Sequence, residues 1–391
     1  MNREKFYNNN MRRRFILLII LLLIIFVILV FRRQFLFRKN THSLSPVSSG
    51  NSLNLITKKG GRVAWYHGTA HSLIAFDAVV NEFNKNTEIY TMVSSGANRQ
   101  CVTCKASLRR GFIGQPDWHP DGDNIVFQVE NANSTHGVYN HISFGIDNDL
   151  WIINKDGSNA QKIWESPALH AALHPHFNED GTLLIFSERL PTGKSNPAWT
   201  KLTPGGENPW DGWQIHIASV DMTKKGTAIL FNHRVVKPVG AGFYETHNFH
   251  GKKIIFSYTV NGQAYVDDIY QANLDGTGVE NFIQSPTTWD EHGIFSPSGN
   301  FLSFISSRAD TNWVAPKSRA NTLRTELFLK KSQSIEQLTN FNVEMNRTRY
   351  LVSDYDWNRD GTQIVLQVAP SGGLWSFDPE IWLLTFPSAQ Y

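Results

Sequence analysis

One pattern returns about every 45 to 60 residues along most of the chain, and it restricts the possible folds more than any other feature. In the first half of each repeat, an aromatic residue precedes a turn that contains Gly, and a short β-branched run follows. The clearest copy has Trp118, then Asp121-Gly122, then an apolar run at 125–127. Asp-Gly between apolar runs indicates a tight hairpin, because Gly adopts positive φ without steric cost. The other copies contain Phe177, Phe249, Phe295 and Trp357.

The second half of each repeat usually has an acidic residue followed by β-branched and aromatic residues. It recurs six times, near Tyr90, Trp151, Ile215, Tyr270, Phe328 and Trp382. A more polar segment follows, as at 161–163 and 336–338. Four short strands in each of six repeats predict an all-β fold, a six-bladed β-propeller.

The two ends of the repeat array complement each other. The last repeat reaches residue 391 soon after its third strand, without a fourth. Leu53–Thr57 precedes the first repeat and is similar to the fourth-strand segment at 336–339. We expect this N-terminal strand to complete the last blade and close the ring, which leaves no exposed sheet edge. The alternative is an open β-sandwich with accidental similarity between its segments.

A separate apolar segment precedes the repeats. Residues 15–31 are apolar without a break and would span about 25 Å as a helix, close to the ~30 Å hydrocarbon core of a bilayer. The alternative is a cleaved signal peptide, but Arg32, Arg33 and Gln34 follow instead of a small-residue cleavage site. The sequence therefore predicts a single transmembrane helix that serves as a signal anchor.

The predicted anchor divides the chain into four parts. Residues 1–14 are a short tail, which flanking charges place in the cytoplasm by a small margin. Residues 32–52 have the Ser-, Gly- and Pro-rich composition of a flexible linker, and 53–391 form the propeller. We expect the propeller to be extracytoplasmic, which means periplasmic, lumenal or extracellular.

The charge distribution argues against nucleic acid as a partner. The formal net charge is +3, but the first forty residues contain nine Lys or Arg and one acid, Glu4. The remainder has 28 basic and 33 acidic residues. The predicted propeller is therefore mildly acidic and has no excess of basic residues for a phosphate backbone.

The repeat is similar to that of a known family. The turn Trp118–Gly122 and the unit Asp149–Gly157 resemble the TolB-type propeller repeat, and the resemblance covers roughly residues 53–391. That family includes periplasmic scaffold proteins, propeller domains of serine peptidases and sugar-acid lyases. The resemblance implies a ring with a central channel used mostly for binding. The chain lacks the separate N-terminal α/β domain of TolB.

One position in the repeat predicts a metal site. Three residues before the aromatic of four copies lie Gln115, His174, His292 and Asp354, and Glu245 and His247 precede Phe249 at similar offsets. Equivalent positions of successive blades form a ring, and imidazole with oxygen ligands suits Mn, Zn or Fe. This arrangement resembles the His/Gln metal set of oligogalacturonate-lyase-type propellers, which implies metal-assisted proton abstraction beside a carboxylate. The alternative is a structural lining of polar residues that bind each other and water.

Other residues are candidates for catalysis, ligand contact or modification. An acid–base pair would consist of His176 with Glu245 or Glu291. A Pro- and Gly-rich insertion at 190–213 offers tryptophans that could stack on a ligand or pack the blade core instead: Trp199, Trp210 and Trp213. Cys101 and Cys104 predict a local disulfide or two inert thiols in preference to a redox centre. Asn133 and Asn346 lie in glycosylation acceptor patterns.

Three functions are compatible with these features. The first is a membrane-anchored binding module that holds a protein, peptide or glycan at a propeller face. The second is a metal-dependent lyase or hydrolase that acts on an acidic sugar in the channel. The third is a structural envelope protein without a small ligand. The sequence has no Gly-x-Ser-x-Gly motif, P-loop or dinucleotide fingerprint.

Overall fold

The computed structural model describes residues 50–81, 83–200, 203–224, 227–260, 266–314, 322–332, 334–344, 349–371 and 379–387. The predicted cytoplasmic tail, the predicted transmembrane helix at 15–31, most of the linker and Asn346 lie outside these residues. Within them, the structure contains no helix of the length and apolarity that a membrane span requires.

The described residues form six four-stranded antiparallel sheets, which are the six predicted blades. In each blade the strands lie side by side in chain order, from the channel outward, except that β1 is the outermost strand of blade 6. Blade 1 consists of β2 Gly60–Trp65, β3 Leu73–Val79, β4 Thr87–Val93 and β5 Gln100–Cys101. Blade 2 consists of β6 Ile113–Trp118, β7 Asn124–Glu130, β8 Asn148–Asn154 and β9 Gln161–Trp164. Blade 3 consists of β10 Ala171–Phe177, β11 Leu183–Arg189, β12 Trp213–Lys224 and β13 Thr227–Val236.

The second half of the ring repeats this arrangement. Blade 4 consists of β14 Gly242–His250, β15 Lys253–Val260, β16 Asp268–Asn273 and β17 Glu280–Asn281. Blade 5 consists of β18 Asp290–Phe295, β19 Leu302–Ser306, β20 Glu326–Lys330 and β21 Ile335–Gln337. Blade 6 consists of β22 Arg349–Trp357, β23 Gln363–Ser371, β24 Glu380–Thr385 and β1 Ser52–Lys58. The helical elements of the described segments are short: two 3-10 turns, Val138–Asn140 and Pro204–Gly206, and one helix, Phe341–Glu344.

The N-terminal strand closes the ring, as the sequence predicts. β1 pairs antiparallel with β24, with Leu53 opposite Leu384 and Leu55 opposite Trp382. Leu53 is 6% exposed and belongs to the core of blades 5 and 6, whereas Leu55, two residues further along the strand, is 41% exposed. The pairing with β24 and the burial of Leu53 in this core confirm that the strand completes blade 6.

Each blade also contacts the next through the residues around the repeated aromatic. The carboxylate of Asp117 accepts a hydrogen bond from the backbone N–H of Phe177 at 2.8 Å. Across the ring closure, Asp356 accepts one from the N–H of Trp65 at 2.6 Å. The turns that follow the aromatics need positive φ, and Gly181 shows why side chains are excluded there: its φ is +73° and an added Cβ would lie 2.3 Å from Nε2 of His119.

Candidate metal centre in the channel

The innermost strands are irregular at one level of the channel. Three innermost strands contain a β-bulge in which two consecutive residues are not paired with the neighbouring strand. The first unpaired residue is Gln115 in β6, His174 in β10 and His292 in β18. All three have positive φ, between 52° and 54°. Such a backbone is sparsely populated for residues with a side chain and persists only where the surroundings enforce it. Because a bulge re-aims the side chain, all three line cavities within the channel.

Three histidines converge at this level. The ligand nitrogens of His174, His247 and His292 lie within 4.8 Å of one another, and each residue is buried. Burial disfavours the charged imidazole, so it lowers the pKa of all three, that of His292 to about 3. The histidines are therefore neutral near pH 7, which is the form that binds metal ions.

The ring nitrogens of this cluster differ in whether they have a hydrogen-bond partner among the described residues. Nε2 of His174 lies 2.8 Å from Oε1 of Glu245 and 2.6 Å from the side-chain amide of Gln115. The backbone N–H of His292 donates to Nε2 of His247 at 3.1 Å. Nδ1 of His247 and both ring nitrogens of His292 are buried without a hydrogen-bond partner among the described residues. Buried polar atoms without partners are rare and destabilising, so their convergence here fits a bound ion.

Two carboxyl groups complete the cluster. Glu245, Glu291 and His292 bring their ligand atoms within 4.8 Å of one another. Burial opposes ionisation of Glu245, but its interactions with His174 and His292 outweigh that effect and lower its pKa. Burial raises the pKa of Glu291, and the neighbouring charge of Glu245 raises it further. These opposite shifts favour a single charge on the pair, carried by Glu245, and the protonated form of Glu291.

The other predicted catalytic and metal-binding residues lie elsewhere. Asp354 contacts the backbone N–H of Tyr355 at 2.7 Å, burial raises its pKa, and it belongs to no converging group of ligand atoms in the described part of the chain. Nδ1 of His176 lies 3.8 Å from Asp117. The structure thus brings Gln115, the three histidines and both glutamates together and leaves Asp354 and His176 outside this cluster.

His174 and His292 lie between two cavities along the channel and line both of them. One, the narrow cavity, has a volume of about 150 Å³, is lined by Glu245 and Glu291, and lies towards the loops between second and third strands. The other, the wide cavity, has a volume of about 820 Å³ and lies towards the hairpins between first and second strands. His176 and Asp354 line the wide cavity, and the two glutamates line only the narrow one. The predicted acid–base pair therefore does not share a cavity.

Arg62 is a channel residue that the sequence analysis missed. Arg62 lies in the bulge of β2, where it is not paired with a residue of β3. Gln115, His174 and His292 occupy the equivalent position in blades 2, 3 and 5. The guanidinium of Arg62 donates to Oγ of Ser143, and Nη1 lies 4.0 Å from the carboxylate of Asp77. The carboxylate of Asp77 can lie beside Arg62 because the neighbouring residue is Gly114. A Cβ atom at position 114 would lie only 2.5 Å from Oδ2 of Asp77. The available signal was the spacing, because Arg62 lies three residues before Trp65.

The tryptophans of the 190–213 insertion have different environments. Trp213 is 1% exposed and its Nε1 donates to the carbonyl of Pro209 at 2.7 Å, so of its two expected roles the structure supports packing in the blade core. Trp210 lines the narrow cavity and packs against Phe144 at 5.4 Å between ring centroids. Trp199 is partly buried against Tyr139.

Two predicted modification sites lie at the edge of the blades. Cys101 and Cys104 form a disulfide with a Cα–Cα distance of 5.7 Å, one of the two arrangements expected from their spacing. Asn133 is exposed, in the loop between β7 and β8, and its backbone N–H donates to the side chain of Asn131.

No family model matches the chain, and no curated protein sequence matches it. Similar solved structures include TolB from Acinetobacter baumannii, with a TM-score of 0.47 and 12% identity over 89% of this chain and 67% of that one. An oligogalacturonate lyase in complex with manganese has a TM-score of 0.45 and 13% identity over 88% of this chain and 96% of the lyase. A Pyrococcus horikoshii acylaminoacyl peptidase has a TM-score of 0.43 and 12% identity over 80% of this chain, which spans 43% of the peptidase. This chain, TolB and oligogalacturonate lyase are six-bladed β-propellers, and the similarity concerns the fold alone.

Proposed function

We propose that this chain is a membrane-anchored, extracytoplasmic β-propeller whose channel binds a divalent metal ion and a ligand beside it. The observation that supports the proposal most directly is the convergence of His174, His247 and His292 within 4.8 Å, with buried nitrogens that no described residue satisfies. Glu245 supplies the negative charge, and Gln115 an amide at the edge of the cluster. Imidazole and carboxylate donors suit Mn, Zn or Fe. Such an ion would act as a Lewis acid and attract oxygen atoms of a ligand.

Metal analysis of the purified full chain tests this proposal. We expect about one equivalent of metal after incubation with Mn²⁺ or Zn²⁺ and gel filtration, because the imidazoles are neutral and the donors already lie close together. The double variant His174→Ala/His292→Ala should lose the ion. His250→Ala is the matched control, because His250 lines the wide cavity and stacks on Phe295 away from the cluster. Less than a tenth of an equivalent in the unmodified chain, or equal retention by the double variant, would refute the proposal.

A second candidate function is a metal-dependent lyase or hydrolase for an acidic sugar. The observation that favours it is the pair Glu245 and Glu291, whose ligand atoms lie within 4.8 Å of one another and of His292, and whose pKa values are shifted in opposite directions, down for Glu245 and up for Glu291. Such a pair provides a general base and a general acid in one cavity. Incubation of the metal-loaded chain with oligogalacturonate should then yield a product that Glu245→Gln does not form. Metal binding without turnover would leave the binding function and reject this one.

The membrane anchor and the orientation of the propeller are part of the proposal. The support is the uninterrupted apolar segment at 15–31 and the slight excess of positive charge at the N-terminal flank. Translation of the full chain with microsomes tests both. We expect a product that alkaline carbonate does not extract and that carries a glycan on the exposed Asn133. Asn133→Gln with Asn346→Gln should remove the glycan. An extractable product would contradict the anchor, and an unglycosylated one would contradict the orientation.

A further inference from the structure

The narrow cavity has two chemically different sides. Its floor is polar and includes His174, His292, Glu245, Glu291 and the side chains of Arg62 and Ser143. Its walls include the apolar side chains of Val79, Phe144, Trp210, Phe243, Leu323 and Leu351, and the remaining lining contains a few polar side chains such as Ser353 and Gln367. A ligand that fills this space must therefore present a polar group to the floor and an apolar body to the walls.

Arg62 gives the floor its positive charge. Among the described residues that line the narrow cavity, it is the only Arg or Lys. A guanidinium has five N–H donors, and Ser143 accepts from one of its amino groups. The 4.0 Å between Nη1 and Asp77 is too long for a hydrogen bond. Arg62 can therefore donate to a ligand oxygen, and the planar guanidinium suits a carboxylate.

The apolar wall is held rigidly. Phe144, Trp210 and Phe243 form a chain of edge-on contacts, with centroid distances of 5.4 and 5.1 Å. Trp210 belongs to the 190–213 insertion, which a buried ion pair anchors: Nη2 of Arg189 lies 2.7 Å from Glu207. Glu207 also accepts hydrogen bonds from two backbone N–H groups of the insertion. The aromatic wall is therefore preorganised for a ligand.

We propose that the narrow cavity binds a carboxylate carried on an apolar body, with Arg62 holding the carboxylate and Phe144, Trp210 and Phe243 packing against the body. This inference names the ligand class of the metal site and rests on the proposed function for the ion beside it. A sugar acid fits less well, because it offers no apolar body against which Phe144, Trp210 and Phe243 can pack. The carboxylate can belong to a small free acid or to the C-terminal residue of a peptide.

Calorimetric titration of the manganese-loaded full chain tests the ligand class with matched probes. Phenylacetate has the charge and the apolar body, phenylacetamide lacks the charge, and galacturonate lacks the apolar body. We expect phenylacetate to bind at least tenfold more tightly than the other two. The peptide Ala-Ala-Phe, with its C-terminal amide as the uncharged control, distinguishes the two sources of the carboxylate. If the free peptide binds more tightly than phenylacetate, the ligand is the C-terminal end of a peptide. If phenylacetate binds more tightly, the ligand is a small free acid. Equal or tighter binding of phenylacetamide or galacturonate overturns the inference.

Variants identify which cavity binds the probe. Arg62→Gln should weaken phenylacetate about 10- to 100-fold, the range of a charge-assisted hydrogen-bonded pair, and leave the metal content unchanged. The affinity of Arg62→Lys for phenylacetate should lie between that of the unmodified chain and that of Arg62→Gln. Arg359→Gln is the matched control, because Arg359 is exposed at the rim of the wide cavity. Weakening by Arg359→Gln alone would place the ligand in the other cavity and overturn the inference. Failure of the unmodified chain to retain metal would instead refute the proposed function. If Arg62→Gln does not fold, the comparison of phenylacetate, phenylacetamide and galacturonate on the unmodified chain still tests the ligand class.

Discussion

Replacement of Leu53 by alanine tests the ring closure most directly. Leu53 is 6% exposed and packs in one core with Trp382, Leu384 and Phe386 of the last blade. Truncation of a buried leucine removes its transfer free energy and leaves a cavity, which together lower the free energy of unfolding by about 2 to 5 kcal/mol. Leu55 is the control: it lies two residues away on the same strand and is 41% exposed, so Leu55→Ala should change stability by at most ~0.5 kcal/mol.

Urea unfolding followed by tryptophan fluorescence measures both effects as shifts of the midpoint at constant slope. A second readout is amide hydrogen exchange of β24. Its residues face β1 across the closure, so Leu53→Ala should speed their exchange more than that of the central strands of blade 3. The reasoning is refuted if the two alanine variants are equally stable, because a strand that does not complete blade 6 would expose both leucines alike.

Two further predictions concern stability. Burial raises the pKa of Asp267 to about 7, above the 3.8 of the unfolded chain, so the fold favours its protonated form and loses stability as pH rises from about 4 to 7. The stability of Asp267→Asn relative to the unmodified chain, both metal-free, should therefore increase between pH 4 and pH 7, by roughly 4 kcal/mol at most. A difference between the two unfolding free energies that does not change with pH would contradict this prediction. Reduction of the Cys101–Cys104 disulfide should lower the free energy of unfolding by only about 2 kcal/mol, because the closed loop is short; complete unfolding on reduction at 25 °C would show that the bridge matters more than its loop length implies.

The fold was predictable because strands and hairpins depend on local pattern. Positions such as Asp121-Gly122 indicate where a hairpin turns, although the connection there is five residues long, and the apolar runs on either side indicate the neighbouring strands. The missing fourth strand of the last repeat and the unpaired segment at 53–57 then determine the closure, which the register of β1 with β24 confirms. Each of these signals spans only a few residues, so one sequence suffices to read it.

The site was harder to predict, because it depends on how each innermost strand bulges. A fixed offset of three residues identifies Gln115, His174 and His292, whose strands skip two residues. In blade 6 the strand skips only one residue, Ser353, which turns into the narrow cavity. Asp354 has the predicted offset but faces the other cavity. The sequence does not reveal the size of a bulge, because backbone geometry and inter-blade contacts set it.

The electrostatics of the cluster connect the two proposals. The surroundings lower the pKa of the three histidines and of Glu245 and raise that of Glu291, which favours neutral imidazoles, an ionised Glu245 and the protonated form of Glu291. Burial raises the pKa of Asp77 to about 6, so at pH 7 it is mostly ionised and its charge balances that of Arg62. A divalent ion would therefore leave one net positive charge beside the narrow cavity, which a single carboxylate neutralises.

This charge balance requires linkage between the two ligands. Without the ion, the ionised Glu245 repels a second carboxylate in the same buried space. Metal should therefore tighten the binding of phenylacetate, and phenylacetate should tighten the binding of metal by the same factor, because binding free energies are reciprocal. Titration of manganese with and without saturating phenylacetate measures that factor, and Arg62→Gln should leave its sign unchanged. A factor of one would mean that the ion and the carboxylate do not share the cavity.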